Sequence, residues 1–165
     1  MSDNEFHTMW GYEKQILDEK SITSSMEDYL EMLYRCKMDG FDYMRLNKLA
    51  ELLHVRSSSA SKMMQKLGKL ELIDYEKYSI IRLTELGEKV GRFLLNRHNT
   101  IEKFLRVLTG GNYVLLETEL IEHVLSASTL EDISIMNSFI DKNPDVVSRY
   151  SEFRKNEKKV REDNI

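Results

Sequence analysis

Cysteine is nearly absent from this chain: its 165 residues include only Cys36. One cysteine excludes an intrachain disulfide and suits a reducing cytoplasmic setting. Set between Tyr34 and Met38 in an apolar helical pattern, Cys36 is expected to pack in a core. Long hydrophobic runs are missing as well. Nothing approaches the ~20 apolar residues of a membrane span, and Met1–Trp10 lacks the basic and apolar regions of a signal peptide. There is no internal repeat and no low-complexity tract. An overall positive charge is also lacking, since 24 Lys/Arg face 28 Asp/Glu, a net of −4. That balance argues against a generic nucleic-acid binder.

The average hides a division. Residues Met44–Arg97 hold eleven Lys/Arg against six Asp/Glu, a local +5, which leaves −9 for the remainder. A basic middle between acidic flanks suggests one part facing phosphate and another gathering carboxylates. Hydrophobic residues at 41% and charged residues at 32% describe a soluble, mainly helical chain.

Residues 1–22 form an N-terminal extension, either disordered in part or docked through Trp10, Tyr12, Ile16 and Leu17. Ser24 and Glu27 have capping-box spacing, and Tyr29, Leu30, Leu33, Tyr34 and Met38 recur at helical intervals until Gly40. A second helix carries Leu46, Leu49, Ala50, Leu52 and Leu53. After Val55-Arg56, a third begins at Ser57-Ser58-Ser59 and runs through Met63, Met64, Leu67 and Leu70. The segment from Leu72 to Leu83 is β-branched and aromatic with a polar middle, and predicts two short strands and a turn. Thr84 should cap a long helix from Glu85 to about Leu108, stopped by Gly110-Gly111. Further helices are predicted from Tyr113 to Leu125, from a capping box at Ser128–Glu131, and from Asn143-Pro144.

Helix, turn, helix and hairpin is the order of a winged helix-turn-helix. Ser57, Ser58, Ser59 and Ser61 at the third helix's start would admit phosphate to its backbone N–H groups. Lys62, Gln65, Lys66 and Lys69 would share an exposed face able to read base edges, with Lys77, Tyr78 and Arg82 of the wing on flanking backbone. Taken by itself, such a lysine row also describes an ordinary solvated helix face.

Acidic residues and histidines form three clusters outside that region. Asp28 and Glu31 are three apart on the first helix and share a face. His98 lies far along the long helix. Glu119, Glu122 and His123 stand at i, i+3 and i+4, a spacing at which side chains on a helix converge. Inward-facing acids beside a histidine require compensation. Each cluster has an ordinary alternative, Asp28 as a helix-dipole complement and His98 as a surface histidine among them.

Together the clusters and SMEDYLE (25–31), SKMMQKL (61–67), YEKY (75–78), RHNTIEKFL (97–105) and ELIEHVLS (119–126) resemble the manganese-responsive branch of the diphtheria toxin repressor family. The resemblance covers roughly Ser24–Asn143. It implies a mainly α architecture, with a winged helix-turn-helix DNA-binding domain at 23–92, a helical metal-binding and dimerisation domain at 93–143, and a C-terminal helix or tail at 144–165. It further implies a site of one or two Mn(II) ions on Asp28, Glu31, His98, Glu119, Glu122 and His123, and a homodimer on palindromic operator DNA that represses metal uptake. Iron-responsive relatives place Met and Cys at the positions of Asp28 and Glu119 and carry a further SH3-like domain. Carboxylates at both positions favour manganese, with Fe(II) the alternative. Phe93, Leu94, Ile101, Phe104, Leu105 and the helix around Val114–Leu125 would supply the dimer face, unless they pack within one subunit. The reading from another class is a di-metal oxidase or storage bundle, which normally needs two Glu-x-x-His motifs; the sole such spacing is Glu51–His54. No enzyme is expected.

Overall fold

The computed structural model describes residues 16–76, 80–111 and 114–162. Its elements run α1 (Ser24–Met38), β1 (Met44–Arg45), α2 (Leu46–Leu52), α3 (Ser57–Lys69), β2 (Ile73–Glu76), β3 (Ile80–Leu83), α4 (Glu85–Thr109), α5 (Val114–Ile121), α6 (Ala127–Lys142) and α7 (Pro144–Glu162). The chain divides into two compact units, Met1–Arg97 and His98–Ile165, and α4 is continuous across the division.

In the first unit, α2 and α3 pack side by side and are followed by an antiparallel hairpin in which Ile73 faces Leu83 and Tyr75 faces Ile81. The strand order is β1-β3-β2, so the third strand is β1, pairing Met44 with Ile81. A two-residue strand has no alternation to read, so β1 was invisible in the sequence pattern. Leu30, Leu49, Ala60, Met64, Leu67, Leu72, Val90 and Leu94 form a core with essentially no exposure. Residues 16–19 are helical; Leu17 is buried, and Lys20 Nζ donates to the Leu70 carbonyl at 3.0 Å. The extension is therefore tied down at this end, while Trp10 and Tyr12 lie outside the described residues.

Helix α1 lies antiparallel to the first half of α4, held at three levels. Lys37 pairs with Glu88, Arg92 Nε donates to Tyr34 Oη at 3.1 Å, and Arg97 Nη2 donates to Glu27 Oε2 at 2.7 Å. Between them Gly91 lets the helices touch: a Cβ there would stand 2.6 Å from Tyr34 Cβ and 3.2 Å from the Leu30 carbonyl.

Several boundaries differ from expectation. Helix α1 starts one residue early, with Thr23 as N-cap, so Glu27 falls outside the capping box and turns to Arg97 instead. Leu52, expected inward, is exposed because a seven-residue α2 buries only Leu46, Leu49 and Ala50. Thr84 caps α4 as expected, accepting from Gly87 N at 3.0 Å.

In the second unit, α5 ends at Ile121 rather than Leu125, and residues 122–124 form a turn. The early stop follows from the next cap: Ser126, and not Ser128, accepts from Thr129 N at 3.2 Å, so the chain must reverse before it. Asn137 Nδ2 donates to the Thr100 carbonyl at 2.8 Å, and Tyr150 Oη donates to the Leu108 carbonyl at 3.0 Å. These bonds fasten α6 and α7 to α4. Phe93, Leu94, Ile101 and Leu105 are buried within the chain and Phe104 is half-buried, which corrects their assignment to a dimer face. Apolar residues left outward include Leu115, Leu116, Leu120 and Val124 on and beside α5, each over 60% exposed, and Ile135 and Phe153 on α6 and α7.

Two glycines of similar sequence context should respond oppositely to alanine. A Cβ at Gly87 would sit 1.9 Å from the Leu72 carbonyl oxygen, whereas at Gly68 the nearest atom is 3.9 Å away. Gly87→Ala should cost ~2 kcal/mol or more through backbone displacement. Gly68→Ala should stabilise by ~0.5–1 kcal/mol, through the entropy of the unfolded chain. Urea denaturation of both variants checks the opposite signs.

Cys36 is buried, and burial first, then the Asp39 charge, pushes its thiol above the usual range. Its labelling by a thiol reagent at pH 8 should be about tenfold or more slower in the native protein than in denaturant. Equal rates would contradict the packing described.

Candidate metal centre and nucleic-acid interface

The second unit gathers charge around one imidazole. His98 is 1% exposed, and its Nδ1 lies 2.9 Å from Glu122 Oε2 and 3.9 Å from Glu119 Oε1. Its Nε2 is 4.0 Å from Glu102 Oε2, and His123 Nε2 is 3.8 Å from Glu122 Oε1. Glu122 is buried and Glu119 half-exposed, so carboxylate is packed against imidazole with little water to solvate it. A buried carboxylate needs a hydrogen-bond donor or a positive partner, which the His98 ring or a divalent cation can supply.

The donor set passes the chemical test for a hard divalent ion. Carboxylate oxygens with imidazole nitrogen suit Mn(II) and Fe(II), and no thiolate competes. Helix geometry was expected to converge Glu119, Glu122 and His123, but only Glu119 is helical. Glu122 and His123 reach the cluster from the turn after α5, with Glu122 N still bonded to the Thr118 carbonyl at 3.0 Å. Glu102 was missed. Its i+4 spacing from His98 was the available signal, and in the structure it also pairs with Arg106.

In the first unit, α1 bears the other two expected ligands. Asp28 is half-buried and Glu31 is buried, accepting from Arg35 Nε at 2.9 Å and Nη2 at 2.7 Å. The Asp28 charge acts on its neighbour Tyr29, whose phenol is raised in pKa by burial first and by that carboxylate second.

Helix α3 is built for a polyanion. Its thirteen residues contain no Asp or Glu, and no side chain caps its N-terminus. Ser57 is occupied otherwise, its Oγ donating to Asn47 Oδ1 at 3.1 Å and tying α3 to α2. Ser58, Ser59, Lys62, Gln65, Lys66 and Lys69 are exposed, while Ser61 is half-buried. Arg56, the N-cap residue, is exposed beside them and was read from sequence only as a connection. Arg82 is exposed on β3 with its guanidinium 5.7 Å from the Tyr43 ring centroid. Lys77 and Tyr78 lie outside the described residues.

Comparison with known proteins agrees with this division. Residues 21–81 match the family model described as the iron dependent repressor N-terminal DNA binding domain, and residues 84–149 its metal binding and dimerisation domain. The HTH-type transcriptional regulator MntR of Lysinibacillus sphaericus (strain C3-41) is 38% identical over 128 residues, covering 77% of this chain and 91% of that one. A MntR of Bacillus velezensis (strain DSM 23117 / BGSC 10A6 / LMG 26770 / FZB42) is 38% identical over 139 residues, covering 84% and 95%. The solved structure of the manganese-activated repressor ScaR in its apo form is 30% identical with a TM-score of 0.54, covering 66% of this chain and 52% of that one. The chain thus spans about half the length of that solved relative. With both domain models matched in order, and relatives above 35% identity aligned over nearly their whole length, the chain belongs to the iron-dependent repressor family, in its MntR group of transcriptional regulators.

Proposed function

We propose that this protein is a manganese(II)-responsive DNA-binding regulator that represses metal-uptake genes as a homodimer. The observation that carries the reading is the buried His98–Glu122 pair, with Glu119 and His123 beside it, in the domain matched as metal binding. The ligand set in this proposal is Asp28, Glu31, His98, Glu119, Glu122 and His123. Manganese is preferred over softer ions because the donors are oxygen and nitrogen throughout. The activation of ScaR by manganese supports the same choice. Family membership sets aside the oxidase and storage reading.

When bound, the ion supplies positive charge that neutralises the converging carboxylates. The chain's own residues do the rest. Four carboxylates in one ligand set repel one another unless positive charge is supplied. Binding of the metal to this ligand set therefore favours one state of the protein, and that state is the one competent for operator DNA. The shift is limited to the differential affinity for the two states, ~1–3 kcal/mol for a 5- to 150-fold change. The exposed leucines of α5 provide the apolar face for the second copy, which places two α3 helices on one palindrome. On α3, Lys62 and Lys66 neutralise phosphate while Gln65 and the serines reach base edges.

Fragmented genomic DNA captured by the protein in Mn(II), and in excess chelator, should yield a few palindromic sites with manganese alone. On such a site His98→Ala should abolish the ~5- to 150-fold enhancement by manganese. Equal enrichment in chelator would overturn metal control. Removing Lys62 or Lys66 should weaken binding to all sequences and flatten the salt dependence by about one counterion each. Fluorescence anisotropy across a salt series measures that slope.

A further inference from the structure

We propose that the Glu27–Arg97 ion pair is a positioning device for the metal ligands, setting the rotation and height at which α1 presents Asp28 and Glu31. The inference rests on the metal reading given above and assigns a role to residues that reading leaves unused.

Both side chains are almost wholly buried, Glu27 at 6% exposure and Arg97 at 2%. They meet through Arg97 Nη2 and Glu27 Oε2 at 2.7 Å across 70 positions of sequence, and the guanidinium also lies 6.0 Å from the Phe93 ring centroid. Glu27 immediately precedes Asp28, and Arg97 immediately precedes His98. Gly91 meets the middle of α1 at Leu30 and Tyr34, while Arg92 to Tyr34 and Lys37 to Glu88 hold its C-terminal half. Glu27–Arg97 is the ion pair that reaches the first turn of α1, next to Asp28.

A buried ion pair is a poor source of net stability, because desolvation offsets most of its Coulomb attraction. It is directional, however, and a planar guanidinium accepts few geometries for its carboxylate. An apolar pair of similar volume would fill the space but tolerate rotation of α1 about its axis. Turning a helix by one residue's worth, ~100°, would carry Asp28 and Glu31 away from any fixed ligand direction.

The test separates packing from positioning in the full chain. Mn(II) affinity is measured by titration, reading free Mn(II) by electron paramagnetic resonance, and thermal unfolding is followed in chelator. Glu27→Leu with Arg97→Met should unfold within a few degrees of wild type yet bind manganese about tenfold or more weakly. Lys37→Met with Glu88→Leu, which removes the pair at the other end of α1, should leave manganese affinity unchanged. Wild-type affinity in the Glu27/Arg97 double variant, or an equal loss in both doubles, overturns the proposal. Should the Glu27/Arg97 double fail to fold, Arg97→Lys decides. It keeps the charge without the fork, so affinity should fall about threefold or more, and no change overturns the proposal. Absence of manganese binding by the wild-type chain would instead overturn the metal reading itself.

Discussion

A carboxylate removed from water must be given a positive partner, and that constraint organises both units of this protein. Glu27 is answered by Arg97, Glu31 by Arg35, and Glu122 by His98. The first two partners are permanently charged guanidinium groups. The third is an imidazole, which balances a carboxylate only when protonated and otherwise leaves it to a cation. The three pairs therefore differ in whether the partner's charge is permanent. Glu119 and Glu122 thus stand beside a histidine instead of an arginine.

The DNA-binding surface obeys the opposite rule. Helix α3 omits carboxylates altogether, so its lysines and uncapped N-terminus face solvent without internal competition. Its inward side, with Ala60, Met64 and Leu67 fully buried, is ordinary core packing. In this net acidic chain the stretch 44–97, which holds α3, carries a local +5, the balance that phosphate requires.

Much of this was legible from residue patterns. The period of Leu30, Leu33 and Tyr34 marks α1, the hydroxyl run at 57–59 marks the start of α3, and Pro144 marks α7. His98 and Glu122, both candidates on residue type and spacing, do meet at 2.9 Å. What pattern reading got wrong shares one cause. Ser24 and Glu27 have capping-box spacing, as do Ser128 and Glu131, yet Thr23 and Ser126 are the observed caps. Spacing establishes that a local bond is possible, whereas a competing partner decides whether it forms. Two-residue β1 and the Arg82–Tyr43 stack depend on neighbours distant in sequence and leave no local period.

By itself, then, the sequence determined the order of helices and hairpin, the charge division and the chemical types available at each position, because these reside in periodicity and composition. Only the tertiary structure decided that Glu27 faces Arg97, that Glu122 reaches His98 from a turn and that Glu102 stands on the other side of the ring. It also decided that Phe93, Leu94, Ile101 and Leu105 are core while the leucines of α5 remain outside. Those outcomes turn on which side chains meet after the chain has closed on itself, and burial energy acts on the assembled neighbourhood rather than on any single segment.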